Sequence, residues 1–159
     1  NSAESINELD RIIEINLRAP LLISHSLLKY FRHRKRGRII YMIEDTHNGL
    51  RTGDTLAYAT RMGLQAFAEA LSLEEQPYNI IANCLTLGLT EDYLLSRYRN
   101  SSSIQASLAE AQKDRPNLAL TDPEKVARVV AFLLGTDADG VIGQTLHCQQ
   151  IQGVLEKKS

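Results

Sequence analysis

The chain has 159 residues, of which 43% are apolar and 23% charged, and a formal net charge of −1. That is the size and composition of one globular domain with a real core, here residues 1–159. The near-zero charge gives no electrostatic case for nucleic acid or an anionic membrane as partner.

In chain order, the first pattern is helical. Ile6, Leu9, Ile13, Leu17, Leu21, Leu28 and Phe31 recur mostly at spacings of three and four, so residues 6–31 are expected to form an amphipathic helix. Pro20 interrupts it. Proline has no N–H to give the carbonyl of Asn16, so the helix should kink there. The basic run Arg32-His33-Arg34-Lys35-Arg36 then reads as a helix C-terminus, where cations meet the negative end of the dipole.

Gly37-Arg38-Ile39-Ile40-Tyr41-Met42-Ile43 is expected to be a buried strand, and residues 45–55 a loop. Residues 56–75 are helical again, with small residues at Ala57, Ala59, Gly63, Ala66, Ala68 and Ala70. Residues 79–87 and 141–148 read as two further strands. Between them lie a long variable segment, 88–120, and a helix opened by Thr121-Asp122-Pro123-Glu124. Thr121 or Asp122 can cap it and Pro123 is tolerated in its first turn.

Strands alternating with helices imply a parallel sheet. A sheet of three strands has little room to bury both faces, and the Gly37 strand should expose an edge. Part of the protein lies outside this sequence, or a partner supplies it; the start at Asn1 rather than Met points the same way. Cys84 and Cys148 fall in apolar runs and are expected to be reduced, buried thiols of a cytoplasmic protein. The four histidines are scattered, with no metal-ligand framework. No apolar run is long enough to span a membrane and no signal peptide is visible.

Six pieces, in order, carry a resemblance. They are Asn16-Leu17-Arg18-Ala19-Pro20, Gly37-Arg38-Ile39-Ile40, the helix around Tyr58, Ile81-Ala82-Asn83-Cys84, Pro123-Glu124-Lys125-Val126-Ala127 and Gly143-Gln144-Thr145-Leu146. From about residue 6 to 151 the chain resembles the C-terminal half of a short-chain dehydrogenase/reductase. The resemblance implies an α/β, Rossmann-like, doubly wound parallel sheet whose N-terminal strands are absent from this sequence. It makes Tyr58 the proton donor of a Tyr-x-x-x-Lys pair in which the lysine is replaced by Met62. It makes Asn16 the structural asparagine whose carbonyl holds a relay water, or else the site of an incidental proline kink.

Asp45 lies 13 residues before Tyr58, where most of the family has a serine. An aspartate there resembles the pteridine reductase branch; the alternative is a solvated turn residue. A cation beside a phenol lowers its pKa by about one to three units, which methionine cannot do. Arg61, at i+3, points about 60° away from the Tyr58 ray of the helix and replaces a lysine at 62 poorly. Thr90 keeps a position that in relatives often binds the carboxamide or the pyrophosphate, and Gly88 falls where relatives contact the nicotinamide, although the family's Pro-Gly reads Leu87-Gly88 here. Its Asp-Gly-Gly reads Gln149-Gln150-Ile151, and no Gly-rich dinucleotide turn exists in the sequence. NADPH is therefore implied by the resemblance and not supported by this chain alone.

Two readings follow. In the first, the chain is a degenerate, non-catalytic family member acting as an oligomer subunit, homo- or hetero-, through helices 6–31 and 56–75. It would pack on its own copy or on a catalytic paralogue, with residues 94–120 as the specificity segment. In the second, it is part of an NADPH-dependent, pteridine reductase-like oxidoreductase whose cofactor-binding half is not in this sequence.

Overall fold

The computed structural model describes residues 6–44, 53–91, 103–114, 120–148 and 151. Its centre is a parallel sheet in the order β1 (Gly37–Glu44), β2 (Ile80–Leu87), β3 (Thr145–His147). Gly37 pairs with Ile80 and the register runs unbroken to Glu44 opposite Leu87. Every residue of β2 before Leu87 is buried, as a central parallel strand covered on both faces requires.

The side chains of β2 alternate between two cores. Ile80, Ala82 and Cys84 pack with Leu28, Tyr41, Ile43, Leu64, Ala68 and Leu71. Leu85 points the other way, into Val129, Leu133, Ala138 and Cys148. The first core lies under α2 (Ala19–Arg34) and α3 (Thr55–Glu75), and the second under α5 (Pro123–Leu134). Helices thus cover both faces of one parallel sheet, the Rossmann-like arrangement expected from the alternation of elements.

The first helix departs from regularity where Pro20 requires it. α1 (Ile6–Ile13) widens into a π-helical turn over Glu14–Arg18 before α2 begins, and the Ala19 N–H donates to the Glu14 carbonyl five residues back. α2 ends at Lys35 in the left-handed conformation, φ 50°, with its N–H on the carbonyls of Arg32 and Phe31. The basic run is thus a helix terminus, as read. Arg32 reaches across to the buried Glu75 at the end of α3, with Nε 2.8 Å from Oε2 and the second nitrogen on Oε1.

Three sequence expectations are refined. The last strand is shorter than 141–148, because Gly143 turns at φ 64° and the buried Asn83 captures the incoming loop. Its amide donates to the Val141 carbonyl at 2.8 Å, and its oxygen accepts from Gln144 N–H at 2.8 Å. The variable segment contains a helix, α4 (Ile104–Asp114), with Ser107 and Ala111 on its buried side. Of the two candidate caps, Asp122 is the one used: its carboxylate accepts from the Glu124 N–H at 2.9 Å.

Among the described residues β1 pairs only with β2, so its other edge is unpaired, as the count of strands led one to expect. Cys84 and Cys148 are both buried and not joined in a disulfide, and burial pushes the Cys84 thiol up to about 12, which leaves it unreactive near neutrality.

Candidate functional site

Two clefts lie where the sequence places its candidate residues. The first, about 240 Å³, is lined by Ile15, Asn16 and Pro20 from the π turn and α2, Met42 and Ile43 from β1, and Arg61 and Leu64 from α3. Met42 and Ile43 are consecutive strand residues whose side chains leave opposite faces of the sheet. A cleft touching both therefore wraps the open edge of β1, and Met42 is 55% exposed there. The π turn brings Asn16 to this edge, and the missing N–H of Pro20 keeps one regular helical partner from its carbonyl.

The charged group in this cleft is Arg61. Its guanidinium is largely buried and ion-paired with the Glu44 carboxylate at the last position of β1. Met62 is not part of the lining and is 40% exposed. The helix geometry explains the difference. The buried residues of α3 are Thr60, Leu64, Ala68, Leu71, Ser72 and Glu75, a stripe facing the sheet. At 100° per residue, Ala57 lies about 20° from Leu64 and Arg61 about 60°, whereas Tyr58 lies about 120° and Met62 about 160° away.

Tyr58 is half-buried in the first turn of α3, its N–H bonded to the Asp54 carbonyl at 2.7 Å. The structure thus brings Asn16, Arg61 and Glu44 together, and sets Tyr58 and Met62 off the sheet-facing stripe. Asp45 lies outside the described residues. Glu44 and Arg61 were not singled out as site residues from the sequence. The signal available for them was the small and apolar stripe Ala57, Leu64, Ala68 and Leu71, which locates the inward face of α3 independently of any motif.

The second cleft, about 480 Å³, sits beyond the C-terminal end of β2 and is lined by Thr90, Glu91, Leu120, Thr121, Asp122 and Pro123. Gly88 and Thr90 stand at this end of the sheet, both half-buried. Leu89 pairs with Leu120, and the Thr121 N–H donates to the Leu89 carbonyl at 2.8 Å. A pyrophosphate needs free N–H groups at a helix N-terminus. Here Pro123 has none, the Glu124 N–H is taken by Asp122, and Glu91 adds another carboxylate to the lining. The N-terminus of α5 therefore does not fit the phosphates of a dinucleotide, while Gly88 and Thr90 could still meet its nicotinamide end. No group of three or more histidine, cysteine or carboxylate side chains able to hold a metal occurs among the described residues. None of their helices is long and apolar enough to cross a membrane.

Comparison with known proteins gives consistent matches. The family described as enoyl-(acyl carrier protein) reductase matches residues 2–150. Nodulation protein G of Rhizobium sp. (strain N33) is 28% identical over 138 residues, 87% of this chain and 54% of the relative. The 3-oxoacyl-(acyl-carrier-protein) reductase of Rickettsia prowazekii is 26% identical over 140 residues, 88% of this chain and 56% of the relative. The chain spans about half the length of these curated relatives. Among solved structures, a variant of actinorhodin polyketide ketoreductase with NADPH superposes with a TM-score of 0.75 at 23% identity, covering 89% of this chain and 57% of that one. Sorbitol-6-phosphate 2-dehydrogenase from Erwinia amylovora gives 0.73 at 19% identity, covering 89% and 58%. At these identities the structures speak for the fold.

Proposed function

Because the chain belongs to the short-chain dehydrogenase/reductase superfamily, we propose that it keeps the scaffold of an oxidoreductase, has given up proton donation at the cleft, and acts by association. The observation that carries this reading is the Arg61–Glu44 pair. The cation beside Asn16 is neutralised by a neighbour in the same chain, and Met62 is turned to the outside. A charge satisfied internally offers little electrostatic assistance to a proton donor.

The occupant of the outer surface would be a second copy of the chain, or a catalytic relative of the same fold. Leu22, Ile23, Leu27 and Tyr30 are exposed along α2, and Met62 and Leu73 along α3. Burying two such side chains on each of two copies contributes about 1.5–3 kcal/mol apiece. Ile23→Glu with Leu27→Glu in the full-length polypeptide should therefore weaken a dimer by at least about 100-fold, read by sedimentation velocity between 1 and 100 µM. A parent protein that sediments as a monomer throughout that range, alone and with its copurifying polypeptides, removes the association reading.

The second reading is an NADPH-dependent oxidoreductase, of the pteridine reductase type or acting on other carbonyl or imine substrates. Its support is the retained cleft at Asn16 and the reductase names of several relatives. It needs a nucleotide-binding half beyond this chain, with Gly88 and Thr90 as this chain's share of the cofactor site. Asp45 and Tyr58 would be its acid–base residues and the segment 94–120 its specificity element. Steady NADPH consumption by the full-length protein would favour it over the first.

A further inference from the structure

We infer that the working positions of the cleft are Glu44, Ala57 and Arg61, one residue earlier than Asp45, Tyr58 and Met62. This rests on the non-catalytic reading and gives its structural cause. Both triplets have identical spacing, 13 residues and then four, so spacing alone cannot choose between them. Geometry does. Arg61 lines the cleft with Asn16, and Glu44 holds its guanidinium from the end of β1. Ala57 is the residue one helical turn before Arg61 on the same face, about 20° from the buried Leu64. Met62 sits about 160° from Leu64, among exposed residues.

The chemistry of the inferred triplet differs from what a proton-donating site requires. Ala57 has no acidic hydrogen to give. Arg61 presents a planar fork rather than a point charge. Glu44 accepts from one arm of that fork, through Nη2, and offsets the charge. The cleft is then an internally neutral ion pair beside Asn16, and a lysine installed at 62 would stand on the outside of α3. The methionine is a surface residue of this chain and not the lost half of a pair.

The test needs neither cofactor nor substrate. Ala57→Tyr introduces a phenol one turn from Arg61, and its ionisation is read at 295 nm as a difference from the parent, which has six tyrosines. With Glu44→Gln added to free the cation on the same face, that phenol should titrate about one to three pH units below an ordinary tyrosine, and with Glu44 in place the shift should be much smaller. Arg61→Met should abolish the shift. A phenol that titrates normally in the Glu44→Gln background, or one indifferent there to Arg61→Met, overturns the assignment.

A second measurement covers the case in which Ala57→Tyr does not fold. The Glu44→Gln/Arg61→Met double-mutant cycle in urea should show coupling, since either single change already breaks the ion pair between the two side chains. Strict additivity overturns the pair as a unit. NADPH turnover by the unaltered full-length protein would instead overturn the non-catalytic reading, whatever the titration shows.

Discussion

Leu85→Ala should lower the unfolding free energy by about 3–4 kcal/mol, measured as a fall in the urea midpoint at unchanged m-value. Leu85 is fully buried in the central strand, and its side chain enters the core formed by Val129, Leu133, Ala138 and Cys148. Removing three carbons there loses their transfer free energy and leaves a cavity. β2 is hydrogen-bonded on both sides and α5 is anchored through that same core, so neither element can collapse freely to fill it. The cost should therefore exceed that of Leu→Ala at a helix surface such as Leu73, which is 73% exposed and should change stability by less than about 0.5 kcal/mol.

Arg32→Ala should lower the urea midpoint at neutral pH, because it leaves the buried carboxylate of Glu75 without its counter-ion. The loss is moderated because Arg32 is itself half-exposed and partly solvated. The hydrogen bond from Arg32 holds the Glu75 carboxyl below its ordinary range, and burial opposes this without reversing it. A carboxyl depressed in the folded state binds its proton more readily when unfolded. Its stabilisation is therefore complete above the unfolded value, near 4.3, and disappears as pH falls through the lower folded value. In Arg32→Ala burial alone remains and acts in the opposite sense. The gap between parent and variant should close from pH 7 to pH 3 in urea melts. A gap independent of pH would mean that Arg32 contributes through packing on Tyr78, 5.5 Å from its ring centre, instead of through charge.

Much of the fold was legible because periodicity and turn chemistry speak for themselves. The apolar run from Gly37, the helix through Leu64 and Leu71, and the asparagine and proline four residues apart each had a local physical consequence, and each formed as such. Helix α4 was not legible, because its buried face is built from Ser107 and Ala111, residues too small to make an apolar stripe. The third strand was read too long because the buried amide of Asn83, which stops it, lies 61 residues away from Gln144. Glu75 gave no sign of burial, since its partner Arg32 looked like one more cation at a helix end.

The site was legible in its ancestry and not in its register. Tyr58 is an aromatic residue at the family's spacing, and directions on the helix taken from it turn Met62 toward the cleft. Measured instead from the stripe that packs on the sheet, the inward positions become Ala57, Arg61 and Leu64. A motif fixes the spacing of residues along a helix, while only the packed face fixes which of two adjacent frames points inward.

Whether the chain has kept the scaffold of an oxidoreductase and given up its chemistry is decided by an NADPH titration. The full-length polypeptide, with any copurifying partner removed, is titrated while the fluorescence of the reduced nicotinamide is followed. No saturable binding up to millimolar cofactor is expected, and no loss of 340 nm absorbance with carbonyl substrates. Saturable binding accompanied by turnover would contradict it.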